Sequence, residues 1–151
     1  RYYEDLEVGE IYKTDNYTVS KENIITFAEQ FDPQPFHIDE EIAQESIFGE
    51  LVASGLHTLC ISVRLFVSDI INGEKGIANM VGLGMDDLRW HKPVYPDDTL
   101  HVRIEVIDKN LSESRSDRGY VDFRRSVYND NEEEVMSIKT YGMIKRTDTT
   151  D

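Results

Sequence analysis

Two periodicities divide the chain. Between Ser20 and Gly73 the apolar positions recur at helical spacing, and beyond that they alternate. Ile24, Phe27, Ala28 and Phe31 follow the i, i+3, i+4, i+7 pattern of a helix with one buried face, and Ser20 stands at its N-cap. Pro33 and Pro35 should stop that helix near Phe31, because proline lacks an N–H and disfavours helix in the residue before it. Asp39, followed by Glu40 and Glu41, caps a short second helix running to about Ser46. Ser54 caps a third, Gly55 to Ile71. Ten of the 16 residues from Leu56 to Ile71 are apolar and face nearly every direction. This helix, roughly 25 Å long, is expected to be buried on most sides. Asn72-Gly73 ends it, with Gly73 in the C-cap role.

The extended segments flank this helical block. Ile11 to Val19 reads as one strand, rich in residues that favour extended backbone. Met80 to Trp90 is a strand rich in glycine and methionine, and Pro93, Pro96 and Asp97-Asp98 mark a loop. Leu100, Val102, Ile104 and Val106 then alternate with His101, Arg103 and Glu105, the pattern of a half-buried strand, which puts His101 on the surface. Val121, Phe123 and Val127 share one face of the next strand, broken by Arg125. Asn129 to Glu132 turns into a last strand marked by Met136, Ile138 and Ile144, and the polar tail from Thr147 is expected to fray. The fold class is therefore α+β, one long buried helix wrapped by a curved antiparallel sheet. The 151 residues, without repeat or linker, read as one domain.

Composition narrows the partners. The net charge of −14 argues against nucleic acid, which needs a basic face. The single cysteine, Cys60, allows no internal disulfide and points to a reducing, cytoplasmic setting; its apolar neighbours make it a core filler. No signal peptide is read, and no apolar run is long enough for a membrane.

The chemistry is concentrated between Phe31 and Leu56. Asp32 and His37 lie five apart with Pro33 and Pro35 between them. A stiff Pro-x-Pro loop can bring such a pair to one point, as a proton-transfer site requires. The plain alternative is a solvated aspartate at a helix end, although a carboxylate is disfavoured at a helix C-terminus. His37 and Asp39 have a spacing seen in metal sites, but no third ligand is evident and Asp39 serves better as a cap. His57 either lines a pocket or is a hydrogen-bonded core histidine.

Phe31-Asp32-Pro33-Gln34-Pro35-Phe36-His37-Ile38-Asp39, then Ala43, Phe48 and Val52-Ala53-Ser54-Gly55, resembles the MaoC-like dehydratase family, which includes the R-specific enoyl-CoA hydratases. Leu88 to Leu100 and the opening Tyr3 to Gly9 are similar to the same family, so the resemblance spans nearly the whole chain. It implies the hotdog fold and a homodimer or assembly of dimers. It also implies an acyl-CoA thioester as substrate, with no separate cofactor and no metal. Asp32 and His37 match the family's catalytic pair, which holds the water that adds to, or leaves from, an enoyl-thioester. Gly55 matches the glycine whose N–H faces the thioester oxygen at the start of the central helix, where unpartnered N–H groups favour negative charge. Arg89 and Lys92 are candidate contacts for the CoA phosphates, or else a solvated strand end with His91.

Three positions depart from the family pattern. Gln34 stands where asparagine is usual, Ser54 where histidine is usual, and Asp97 where a turn glycine is common. Gln34 and Ser54 are thus candidate substrate contacts that leave the acyl group open and allow a branched or dicarboxylic acyl group in place of a straight chain, while Asp97 is a structural change. An acyl tunnel is expected along the central helix and the segment from Phe48 to Val52. The end of the preceding helix and partial burial should raise the pKa of Asp32. The expected activity is enoyl-CoA hydratase or hydroxyacyl-CoA dehydratase. A hotdog thioesterase is the alternative, but such enzymes place a lone acid on the central helix, where this chain has none before Asp69. A non-catalytic acyl-thioester binder is the other.

Overall fold

The alternating segment at 100–106 builds the centre of the fold. In the computed structural model, which describes residues 1–147, four long strands follow the helical block: β3 (Asn79–Trp90), β4 (Thr99–Leu111), β5 (Arg118–Tyr128) and β6 (Glu134–Lys145). With the short β1 (Ile11–Lys13), they form an antiparallel sheet in the order β1-β4-β5-β6-β3, and β2 (Tyr17–Thr18) pairs β4 off that path. Leu100, Val102, Ile104 and Val106 are fully buried on β4, each such side chain contributing about 1.5–3 kcal/mol.

The single strand expected over Ile11–Val19 is two short ones. Thr14 interrupts it: its N–H donates to the Val102 carbonyl and its Oγ1 accepts from the Val102 N–H, each at 2.9 Å, so the side chain replaces a backbone partner. Asp97 has φ 71°, a left-handed turn position that aspartate tolerates. The expected fray of the tail lies outside the described residues beyond Thr147, whose own N–H donates to Glu4 at 2.9 Å.

The helices are α1 (Lys21–Phe31), α2 (Pro35–Ile38), α3 (Glu40–Gln44) and α4 (Gly55–Leu65), the last continuing as a π-helical turn over Phe66–Ile71. Ser20 and Asp39 cap α1 and α3 as expected, accepting from Asn23 N–H and from Glu41 and Ile42 N–H. Ile61, Leu65 and Ile70 of the α4 segment join Leu100, Ile104, Phe123 and Ile138 of the sheet in one core. This helix held against an antiparallel sheet is the hotdog fold. Among the described residues, no helix is long and apolar enough to cross a membrane.

Four sequence expectations need correction. The central helix is not covered on most sides: Leu56, Cys60, Val63 and Val67 form an exposed stripe in the isolated chain. Cys60 is accordingly exposed and not a core filler. His101 is buried, its ring stacked on Tyr128 with centroids 5.6 Å apart, because Tyr128 covers the outer face of β4 at that position. Arg125 does not break its strand. It keeps the inward alternation with Phe123 and Val127 and is only 4% exposed.

Candidate active site

The proline pair shapes the first wall of the site. Asp32 is the C-cap of α1, its N–H bonded to the Ala28 carbonyl at 2.8 Å. The segment after Gln34 is not a plain loop, as the prolines implied, but the one-turn helix α2. Pro35 sits at its first position, where the missing N–H costs nothing and the fixed φ is already helical. This turn carries His37 back towards Asp32: the His37 Nε2 and Asp32 Oδ2 atoms are 3.4 Å apart, and His37 is almost fully buried.

The histidine's proton is placed by a backbone group. His37 Nδ1 lies 2.7 Å from the Val52 carbonyl, which can only accept. Nδ1 therefore carries hydrogen, and in the neutral ring Nε2 presents its lone pair towards Asp32. In that form both atoms are acceptors and do not bond each other. A water molecule in the cavity beside them could donate one O–H to each.

Gln34 and Ser54, expected at the substrate, both act on Asp32. Gln34 Nε2 donates to Oδ1 and Ser54 Oγ donates to Oδ2, each at 2.7 Å. The Ser54 hydroxyl also accepts from Leu56 N–H at 3.2 Å, so one buried side chain caps α4 and holds the carboxylate. The expected rise in the Asp32 pKa is reversed. Burial pushes it up, but the Ser54 and Gln34 hydrogen bonds, with His37 beside it, hold it below the usual carboxylate range.

Opposite the pair stands the start of α4. Gly55 is its first residue, and first-turn N–H groups have no partner inside a helix. Trp90 was not singled out by the sequence, yet its Nε1 donates to the Gly55 carbonyl at 2.9 Å. A Cβ at residue 55 would lie 2.4 Å from the indole ring, so the glycine is required by the tryptophan. Only the fold brings these two residues, 35 apart, together.

Asp32, His37 and Gly55 line one cavity of about 390 Å³, with Phe48, Val52 and Leu56 among its apolar walls. Lys92 reaches its edge but pairs with Glu133 at 2.8 Å. Arg89 is exposed, its Nη1 donating to its neighbour's carbonyl, and does not line the cavity. His57 is buried, stacked on Phe27 with centroids 4.6 Å apart, and lies outside the cavity lining. Among the described residues no group of histidine, cysteine and acidic side chains is arranged to hold a metal ion.

Known proteins share both this fold and much of this sequence. Residues 5–125 match the family model described as MaoC like domain. The chain is 38% identical over 143 residues to an uncharacterized protein, YdeM, of Bacillus subtilis, covering 95% of this chain and 98% of that one. It is 31% identical over 110 residues to a 3-hydroxybutyryl-CoA dehydratase of Methylorubrum extorquens, covering 71% of this chain and 64% of the relative. The crystal structure of a MaoC-like dehydratase from Rhodospirillum rubrum superposes with a TM-score of 0.89 at 38% identity, covering 98% of this chain and 99% of that one.

Proposed function

We propose that this chain, which belongs to the MaoC-like domain family, is an enoyl-CoA hydratase or 3-hydroxyacyl-CoA dehydratase that adds water reversibly to an enoyl-thioester. The observation that carries the reading is the Asp32–His37 pair, its Oδ2 and Nε2 atoms 3.4 Å apart, facing a cavity shared with the N-terminus of α4. The dehydratase relative and the Rhodospirillum structure support the same class.

In the hydration direction, a water held by Asp32 Oδ2 and His37 Nε2 loses one proton to the pair. Its oxygen bonds to the β-carbon while the double-bond electrons move through the α-carbon onto the thioester oxygen. Gly55 N–H, at the positive end of the helix dipole, faces that developing charge. The enolate then collapses, and the α-carbon takes the proton from the pair. A depressed pKa keeps Asp32 ionised as the base, and His37, almost fully buried beside it, stands ready to share the proton.

The working unit is a homodimer joined along β3. Met80, Val81, Leu83 and Met85 are all exposed on this edge strand, beside the uncovered stripe of α4. A bare apolar edge of this length is rarely left unpaired. The substrate is a CoA thioester and no separate cofactor takes part.

A panel of enoyl-CoA substrates, followed by loss of the conjugated double bond's absorbance alongside free-thiol release, tests the class. Loss of absorbance without thiol supports the hydratase. Thiol release makes the protein a thioesterase, and binding without either reaction makes it a thioester carrier.

A further inference from the structure

Among the described residues, the Arg125 cation has no counter-ion in the interior. Its side chain points inward from β5, and its Nε and Nη2 are buried with no hydrogen-bond partner among the described residues. Burial lowers its pKa to about 10, which leaves it charged at neutral pH. A buried charge with unpaired donors is costly, and such a group normally finds an acceptor.

Arg125 lines a second cavity, of about 300 Å³, distinct from that of Asp32. Val63, Phe66, Val67, Met85 and Phe123 give it apolar walls, and no acidic residue lines it among the described residues. The helix widens into its π turn here, starting at Phe66, whose ring the Arg125 guanidinium overlies at 5.7 Å. The cavity is therefore mainly apolar, with Arg125 its one cation beside the neutral polar Asn79, Thr140 and Tyr141, and it matches an aliphatic chain that ends in an anion.

The proposed dimer connects this slot to the chemistry. The first cavity is lined by Trp90 at the C-terminal end of β3, and the second by Asn79, Gly82 and Gly84 towards its N-terminal end. In the homodimer proposed above, antiparallel pairing of the β3 edge with its twofold copy would set these two ends side by side. In that arrangement the Asp32 cavity of one protomer would open towards the Arg125 cavity of its mate. We propose that Arg125 binds the terminal carboxylate of a dicarboxylic acyl group whose thioester end is held at Asp32 and His37. This inference rests on the hydratase and dimer readings for its substrate, but the anion site itself can be tested without turnover.

Two enoyl-CoAs of equal length, one ending in a carboxylate and one in a methyl group, are compared on the wild type, Arg125→Met and Arg125→Lys. The wild type is expected to favour the carboxylate by about tenfold or more in kcat/KM, Arg125→Lys to keep the preference in weakened form, and Arg125→Met to lose it. Equal use of both substrates by the wild type, or a preference that survives in Arg125→Met, overturns the proposal while leaving the hydratase reading intact. If neither substrate turns over, the hydratase reading fails and calorimetry with hexanoate and 1-hexanol decides the anion site. Hexanoate is expected to bind the wild type at least about tenfold more tightly than it binds Arg125→Met, and hexanol to bind both alike. No binding of hexanoate to the wild type means that the chain answers its own guanidinium, and the proposal fails. Should Arg125→Met not fold, the wild-type preference and the Arg125→Lys comparison carry the test.

Discussion

The Trp90 indole closes over the Gly55 backbone: the ring N–H donates to the Gly55 carbonyl, and the ring sits where a residue-55 side chain would stand. Gly55→Ala should therefore displace either the indole or the start of α4. Overpacking of this kind costs about 1–3 kcal/mol, and the N–H groups at the helix start move with it. Denaturant melts should show that loss, and pairing Gly55→Ala with Trp90→Ala should restore much of it, because the clash is removed. A Gly55→Ala variant as stable and active as the parent contradicts the contact.

Ser54→Ala and Gln34→Ala each remove a donor from Asp32 and should raise its pKa. The base must be ionised, so the acidic limb of kcat/KM against pH moves to higher pH in both variants. A limb that stays in place or moves down contradicts the assignment. Ser54→Ala also loses the α4 cap, about 1 kcal/mol, which Gln34→Ala keeps. The stability side has the same origin. A depressed carboxyl stabilises the folded state above its unfolded pKa of about 4, and that contribution is lost as pH falls through the folded value. Urea midpoints measured between neutral and acid pH should thus fall less steeply in Ser54→Ala than in the parent.

The sequence carried the periodic parts of the fold well, because burial on one side leaves a repeat that can be counted. It identified the Asp32–His37 neighbourhood through the two prolines. It missed α2, since one turn is too short to show a period. It missed Trp90, whose partner is 35 residues away, and the sign of the Asp32 shift, which depends on a hydroxyl 22 residues away. It covered Cys60 and the stripe beside it because an apolar helix reads as buried whether its cover is the same chain or a second copy.

That second copy is open to a direct test. Leu83 is 52% exposed on the β3 edge. Leu83→Lys should place two charges against one another across a twofold edge and convert a dimer to monomer at micromolar concentration, with little change in the far-ultraviolet circular dichroism of the chain. Light scattering reads the outcome. A parent that is monomeric, or a variant that stays dimeric, contradicts the β3 interface.

The most direct measurement of the central claim is the turnover of folded Asp32→Asn on the best enoyl-CoA found for the parent. Asparagine keeps the shape of the side chain but cannot take a proton from water. Turnover should fall by about a hundredfold or more, as it should in His37→Ala, and the double variant should be hardly worse than either, because the two groups act on one water. An Asp32→Asn protein that hydrates the same substrate within about threefold of the parent contradicts the account, since loss of the base must cost far more than that.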